Sequence, residues 1–156
     1  MKNTKKLTIS SMIIALYIVL MFATQGFAFG AYQVRIATSL YSLSYLFPFL
    51  IIPLGIANLL SNTLMGGLGL FDIIGGISVG VITSTLVYLV KRFKLNQLLV
   101  AIPIIFGPGL IVPLWLSPIL GLPYSVLAIS LCIGQILPAI VGVILIRQLG
   151  RVLPQD

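Results

Sequence analysis

The chain has 156 residues, 60% of them hydrophobic and 7% charged, with 9 Lys and Arg against 2 acidic residues and no His. Soluble domains carry about 25% charged residues, so this composition and a mean hydropathy of +1.22 exclude a water-soluble globular protein and point to one integral membrane domain, residues 1–156. The apolar runs are continuous rather than alternating, which selects packed helices over a barrel. The net charge of +7 is spread beside apolar segments rather than along a stripe, so no nucleic-acid partner is expected.

A helix needs about 20 residues to cross the hydrocarbon core, which lets the chain be cut at its charges, prolines and glycines. The start "MKNTKK" followed by "LTISSMIIALYIVLMFAT" has the outline of a signal sequence. The apolar run is long enough to span, however, and lacks a small-x-small cleavage site, so Leu7 to Thr24 is read as a retained first span. Ser11 and Ala15 on it form a small-xxx-small pair that would let another helix approach, from this chain or from a partner. Residues 26–36 form a loop rich in Gly and aromatic residues. Ala37 to Met65 is broken at Pro48 and Pro53; too long for one span and short for two, it is expected to form two abbreviated helices turning near those prolines. After the "GGLG" loop at 66–69 come Leu70 to Val90, closed by "KRFK", then Leu95 to Leu116, and Tyr124 to Ile146. The expected fold is an all-α membrane protein of six transmembrane helices.

Lys and Arg of short loops collect on the cytoplasmic side. Six spans put Lys2, Lys5, Lys6, Lys91, Arg92, Lys94, Arg147 and Arg151 on one face, with both termini in the cytoplasm and the chain in the cell membrane. "KRFK" then acts as an orientation signal and can also touch anionic lipid. Arg35 is the exception, stranded in the first outer loop. It either snorkels to head groups or, with the ring of Tyr32 and the amide of Gln33 beside it, serves a flat polar ligand.

Asp72 is the single carboxylate of the membrane region, near the outer end of the fourth span and so on the side of Arg35. The two either pair for structure alone or face one cavity, where Asp72 accepts from donors on a ligand. Asn58 and Asn62, at i and i+4, share a helix side with Ser61 close by; helix-to-helix hydrogen bonding is the plain alternative to ligand contact. Thr38, Ser42 and Tyr45 form an i, i+4, i+7 row on the second helix. Gln135 sits in mid-span, where an amide must find a partner, and Pro138 frees a carbonyl nearby. Trp115 and Tyr124 read as an interfacial belt, with substrate stacking the lesser alternative, and Cys132 as a buried, inert thiol.

No Gly-Lys-Ser/Thr follows a glycine loop, so the chain hydrolyses no ATP. Without His or Glu, metal centres and Cys/His chemistry are excluded, and Ser has no visible base; neither an enzyme nor a cofactor is expected. One carboxylate near a span end is a thin supply for a proton-coupled carrier, and no similar halves suggest an inverted repeat.

The stretches "KKLTISSMIIALYIVL", "FGAYQVRIATSL", "IANLLSNTLMGGLGLFDIIGG" and "GQILPAIVGVIL" together resemble the queuosine-precursor transporter family QueT, the substrate-binding S components of energy-coupling factor transporters. The most specific parts are Tyr-Gln-x-Arg-Ile after a glycine, and Ala-Asn followed by Asp-Ile and glycine. The resemblance implies an S-component bundle that captures a deazaguanine base outside and docks on a membrane T subunit with two ATPase subunits, with Ser11 and Ala15 as a candidate docking pair. It places Tyr32, Gln33, Arg35, Asn58 and Asp72 in or near the pocket, to which the residue reading adds Thr38, Asn62 and Gln135. Two positions depart from the family pattern: Thr38 and Gln135 stand where the family usually has acidic residues. Both departures remove negative charge, which implies a neutral or less cationic ligand, such as the nitrile precursor in place of the aminomethyl base. An S component for another vitamin-like molecule, or a non-transporting membrane subunit, are the alternative readings.

Overall fold

A computed structural model of the chain describes residues 2–28, 33–66 and 68–152. Among these residues every regular element is a helix: α1 (Asn3–Ala23), α2 (Gln25–Ala28), a 3₁₀ helix (Ile36–Tyr45), a 3₁₀ turn (Pro48–Leu50) leading into α3 (Ile51–Ser61), a π-helical turn (Asn62–Gly66), α4 (Leu70–Arg92), a 3₁₀ turn (Gln97–Val100) leading into α5 (Ala101–Ile111), α6 (Pro113–Leu120), α7 (Tyr124–Gly134) and α8 (Ile136–Val152). Among the described residues five stretches are long and apolar enough to cross a membrane: Asn3–Ala23, Pro48–Gly66, Leu70–Arg92, Gln97–Leu120 and Tyr124–Val152.

The difference from the six expected spans lies in Ala37 to Met65. Pro48 does not divide two short helices; it starts a full-length one, with Pro53 in the first turn of α3, where a missing N–H costs nothing because that turn has no intrahelical acceptor for it. The segment before it is a ten-residue 3₁₀ helix, long for a form usually limited to 3–4 residues. Its rise of about 2.0 Å per residue, against 1.5 Å for an α-helix, stretches ten residues over roughly 20 Å. One end of it lies at Arg35, beside the start of α4, and the other at Tyr45, whose ring centroid is 5.9 Å from Lys91 Nζ at the end of α4. Residues 37–44 are all buried.

The period of three also changes which side chains share a face. Thr38, Tyr41 and Ser44 align, not Thr38, Ser42 and Tyr45. Ser44 Oγ is within bonding distance of the Ser84 carbonyl on α4 at 2.8 Å, and Thr38 and Tyr41 reach the site described below.

The basic residues other than Arg35 gather at one end. Lys6 Nζ lies 6.0 Å from the ring of Phe49, Lys91 stands over Tyr45, and Val90, Val100 and Ile146 pack together just inside, which brings the last turns of α4 and α8 to the same end. The opposite end is closed by Val79, Val112, Leu116, Leu127 and Leu131. Small residues set the helix spacing: a Cβ on Gly80 of α4 would meet Gly55 Cα at 2.8 Å and the Leu54 carbonyl at 3.1 Å, so α3 and α4 touch backbone to backbone.

Candidate functional site

The site lies at the end of the bundle away from the basic residues, where α4 begins. Gln33, Arg35, Thr38, Asn58, Asn62, Asp72 and Gln135, seven of the eight residues singled out in the sequence, line one cavity together with Tyr41, Gly76, Val79, Pro108, Val112, Trp115 and Leu131. Tyr32, the eighth, lies outside the described residues. Arg35 and Asp72, 7% and 3% exposed, are both held inside the protein, so Arg35 does not snorkel to head groups.

Arg35 precedes the 3₁₀ helix, and Gln33 at φ 42 turns the chain into it. Its guanidinium donates to the Asn58 and Asn62 side-chain oxygens at 3.4 and 3.2 Å, and its Nε to the Ala28 carbonyl at 3.4 Å. Each asparagine uses its NH₂ group elsewhere. Asn58 donates to the Tyr41 hydroxyl at 2.8 Å and the Gly76 carbonyl at 2.9 Å, and Asn62 to the main-chain carbonyl of Asp72 at 2.9 Å. The i, i+4 spacing therefore places two neutral acceptors side by side under one cation, and both amides are oriented by a second bond. Tyr41 extends the network to α1, its hydroxyl 3.1 Å from that of Tyr17.

Asp72 sits in the first turn of α4, where the helix dipole favours negative charge. Its Oδ1 accepts from Trp115 Nε1 at 3.2 Å. Its Oδ2 is buried and has no hydrogen-bond partner among the described residues. Two glycines make room here: a Cβ on Gly66 would meet that Oδ2 at 2.8 Å, and one on Gly75 would meet the Trp115 ring at 2.5 Å. The π-helical turn carrying Asn62 ends at Gly66, an irregularity of a kind often found at functional sites.

On the far wall, Gln135 stands at the break between α7 and α8. Pro138 cannot donate to the Gly134 carbonyl, the helix is interrupted at Gln135 (φ −85, ψ −5), and the amide faces the cavity, fully buried. The Thr38 hydroxyl lies 2.6 Å from Gln135 Oε1 and 2.7 Å from the Arg35 carbonyl; Gln135 Nε2 donates to the Gln33 carbonyl at 3.2 Å. The two positions that depart from the family pattern, 97 residues apart in sequence, are thus direct neighbours.

Sequence reasoning missed Tyr41 and Gly76, and ranked Trp115 as an interfacial anchor ahead of a stacking surface for substrate. Trp115 is half-buried, donates to Asp72 and lines the cavity. Tyr124, by contrast, is exposed and donates to the Leu110 carbonyl at 2.8 Å. Tyr41 was hidden by assuming an α-helical period where the chain takes a 3₁₀ one. The signal for Gly76 was the Gly75-Gly76 pair three residues after the lone carboxylate; Gly76 leaves room for Asn58 and Asn62. Cys132 is half-buried beside Gly109.

The open volume is about 10 Å³, room for about one water. The site combines one cation, one anion, two amides, a hydroxyl and an indole, which suits a small planar molecule carrying both donors and acceptors. It holds no cluster of His, Cys, Asp or Glu able to take a metal ion among the described residues. Comparison with curated proteins and with solved structures gives no match. The family description "QueT transporter" matches residues 7–151, nearly the whole chain, and the chain belongs to this family of membrane transporters, which are not enzymes.

Proposed function

We propose that the chain is the substrate-capture component of an energy-coupling importer and takes a deazaguanine-type queuosine precursor into the cavity between Arg35 and Asp72. The observation that supports this most is the burial of two opposite charges against one cavity, with the Asp72 Oδ2 acceptor unused. A guanine-like edge offers ring N–H and amino donors, which suit that carboxylate, and a carbonyl, which suits the Arg35 guanidinium. The Trp115 indole supplies a face for the ring. Small-molecule pockets measure about 300–1,000 Å³, so ligand entry moves side chains of the lining, among which Trp115 is half-buried.

In this reading the ten-residue 3₁₀ helix, roughly 20 Å long, forms most of a sixth crossing, and the chain on either side of it completes the about 30 Å of a hydrocarbon core. Six crossings return both termini to the basic end, which the positive-inside rule assigns to the cytoplasm, and the cavity opens at the outer face. The chain has no nucleotide-binding loop, so ATPase subunits and a membrane T subunit would supply the energy. Ser11 and Ala15 are exposed on α1 and open to a partner helix. The Thr38 and Gln135 contact carries no negative charge, so the favoured ligand is the neutral nitrile precursor rather than the aminomethyl base.

A thermal-shift panel on the detergent-purified chain, with deazaguanine bases against thiamin and riboflavin, tests this. A specific ligand at a hundredfold excess over its Kd should add about 2.7 kcal/mol. Stabilisation only by thiamin or riboflavin would make it an S component for another molecule, and stabilisation by none would favour a non-transporting subunit.

A further inference from the structure

Between α4 and α5, in the basic half of the bundle, runs an apolar groove of about 600 Å³. Leu86, Leu89 and Phe93 form one wall; Leu99, Ile102 and Phe106 form the other. It continues to Leu110, so from Leu99 it extends along α5 for roughly 17 Å at 1.5 Å per residue. That is close to half of a hydrocarbon core of about 30 Å, the depth of one leaflet.

The mouth of the groove is the link from α4 to α5, which carries Lys91, Arg92 and Lys94, all exposed. The link is held in shape: Lys94 N donates to the Lys91 carbonyl and Leu95 N to the Val90 carbonyl, both at 2.9 Å. Lys94 takes a left-handed φ of 54. Lys91 rests over the Tyr45 ring. The backbone of the link is therefore fixed, and the exposed Arg92 and Lys94 flank Phe93, which lines the leaflet-deep apolar slot. Of the chain's two acidic residues, Asp72 is at the other end of α4 and the second is the terminal Asp156.

We propose that this groove and its basic mouth bind an anionic two-tailed phospholipid of one leaflet, with the tails along α4 and α5 and the phosphate between Arg92 and Lys94. Orientation alone would require the charges but not the slot, and non-specific lipid contact would require the slot but not the charges. A second copy of the chain fits poorly, because two-fold pairing would bring the same cations face to face. Basic pockets between transmembrane helices on the cytoplasmic side are a recurrent answer to acidic head groups. The inference is independent of the substrate reading.

Native mass spectrometry of the full chain in detergent, titrated with dioleoyl phosphatidylglycerol or dioleoyl phosphatidylcholine, tests it. One phosphatidylglycerol should bind at least about tenfold more tightly than phosphatidylcholine, at about fivefold per contacting cation. Arg92→Gln with Lys94→Asn, which leaves Lys91 on Tyr45, should remove most of that preference. Ile102→Trp, which fills the slot, should weaken both lipids, and glycerophosphoglycerol, the head group without tails, should not compete. The wild-type preference should also fall with added salt, a readout that needs no variant to fold. Equal binding of the two lipids, a preference insensitive to salt or to the double substitution, competition by the tail-less head group, or a dimer that forms in place of lipid binding would each overturn the proposal.

Discussion

Asp72→Asn separates a ligand-binding carboxylate from a structural one. The side chain keeps its shape and an oxygen to accept from Trp115 Nε1, now 3.2 Å away. It loses the charge and places an NH₂ group at the buried position of Oδ2, which has no hydrogen-bond partner among the described residues. A ligand N–H that would have donated there meets another donor instead. Hydrogen bonds to charged groups contribute about 1.5–3 kcal/mol, so affinity should fall about 10- to 150-fold. With ligand set at one hundred times the wild-type Kd, the wild type gains about 2.7 kcal/mol; a hundredfold weaker variant at the same concentration gains only about 0.4 kcal/mol. The unliganded variant is also less stable, because the buried Arg35 charge loses the only carboxylate among the described residues. The quantity to compare is therefore the ligand-dependent increment in thermal unfolding, not the midpoint itself. An unchanged increment for Asp72→Asn, with a lowered unliganded midpoint, would refute the assignment and leave Asp72 a purely structural partner.

Three further outcomes are expected. Trp115 is the chain's only tryptophan and donates to Asp72, so ligand titration should change the intrinsic emission, and Gly75→Ala, whose Cβ would meet the indole at 2.5 Å, should shift it without ligand; a spectrum blind to a ligand that binds by dialysis would place the ligand elsewhere. Thr38→Glu with Gln135→Glu sets two carboxyls at a contact now 2.6 Å long, where like charges share a proton and add about one negative charge; equilibrium dialysis should show a gain for the aminomethyl base and none for the nitrile. Gly80→Ala drives a Cβ into the Gly55 backbone at 2.8 Å, which has no rotamer to yield, so thermal unfolding should show a loss of about 1–3 kcal/mol; a neutral result would mean that α3 and α4 are free to part.

The candidate site was legible in part because charge is so scarce in this sequence. Arg35 and Asp72 had to be accounted for one by one, and a charge in lipid has few uses besides pairing, anchoring or binding. The asparagines were readable for a related reason: i, i+4 spacing puts two side chains on one face wherever the helix stays regular. Thr38 and Gln135 were picked out as departures from the family pattern, but nothing in the sequence says they touch.

What the sequence by itself determined is the class of the protein, its helical build and the identity of the few polar residues that must be explained, because each follows from composition or from spacing along one chain. Tertiary structure alone decided the 3₁₀ form of Ile36–Tyr45, the start of a full-length helix at Pro48, the indole of Trp115 bonded to Asp72, and the meeting of Thr38 with Gln135. Local propensity does not fix these. A ten-residue 3₁₀ helix forms here where the hydroxyls of Thr38, Tyr41 and Ser44 meet Gln135, Asn58 of α3 and the Ser84 carbonyl of α4, and the position of Trp115 depends on a missing Cβ at Gly75, on another helix. Such choices are made by which surfaces fit together, and that information is shared among segments far apart in the sequence.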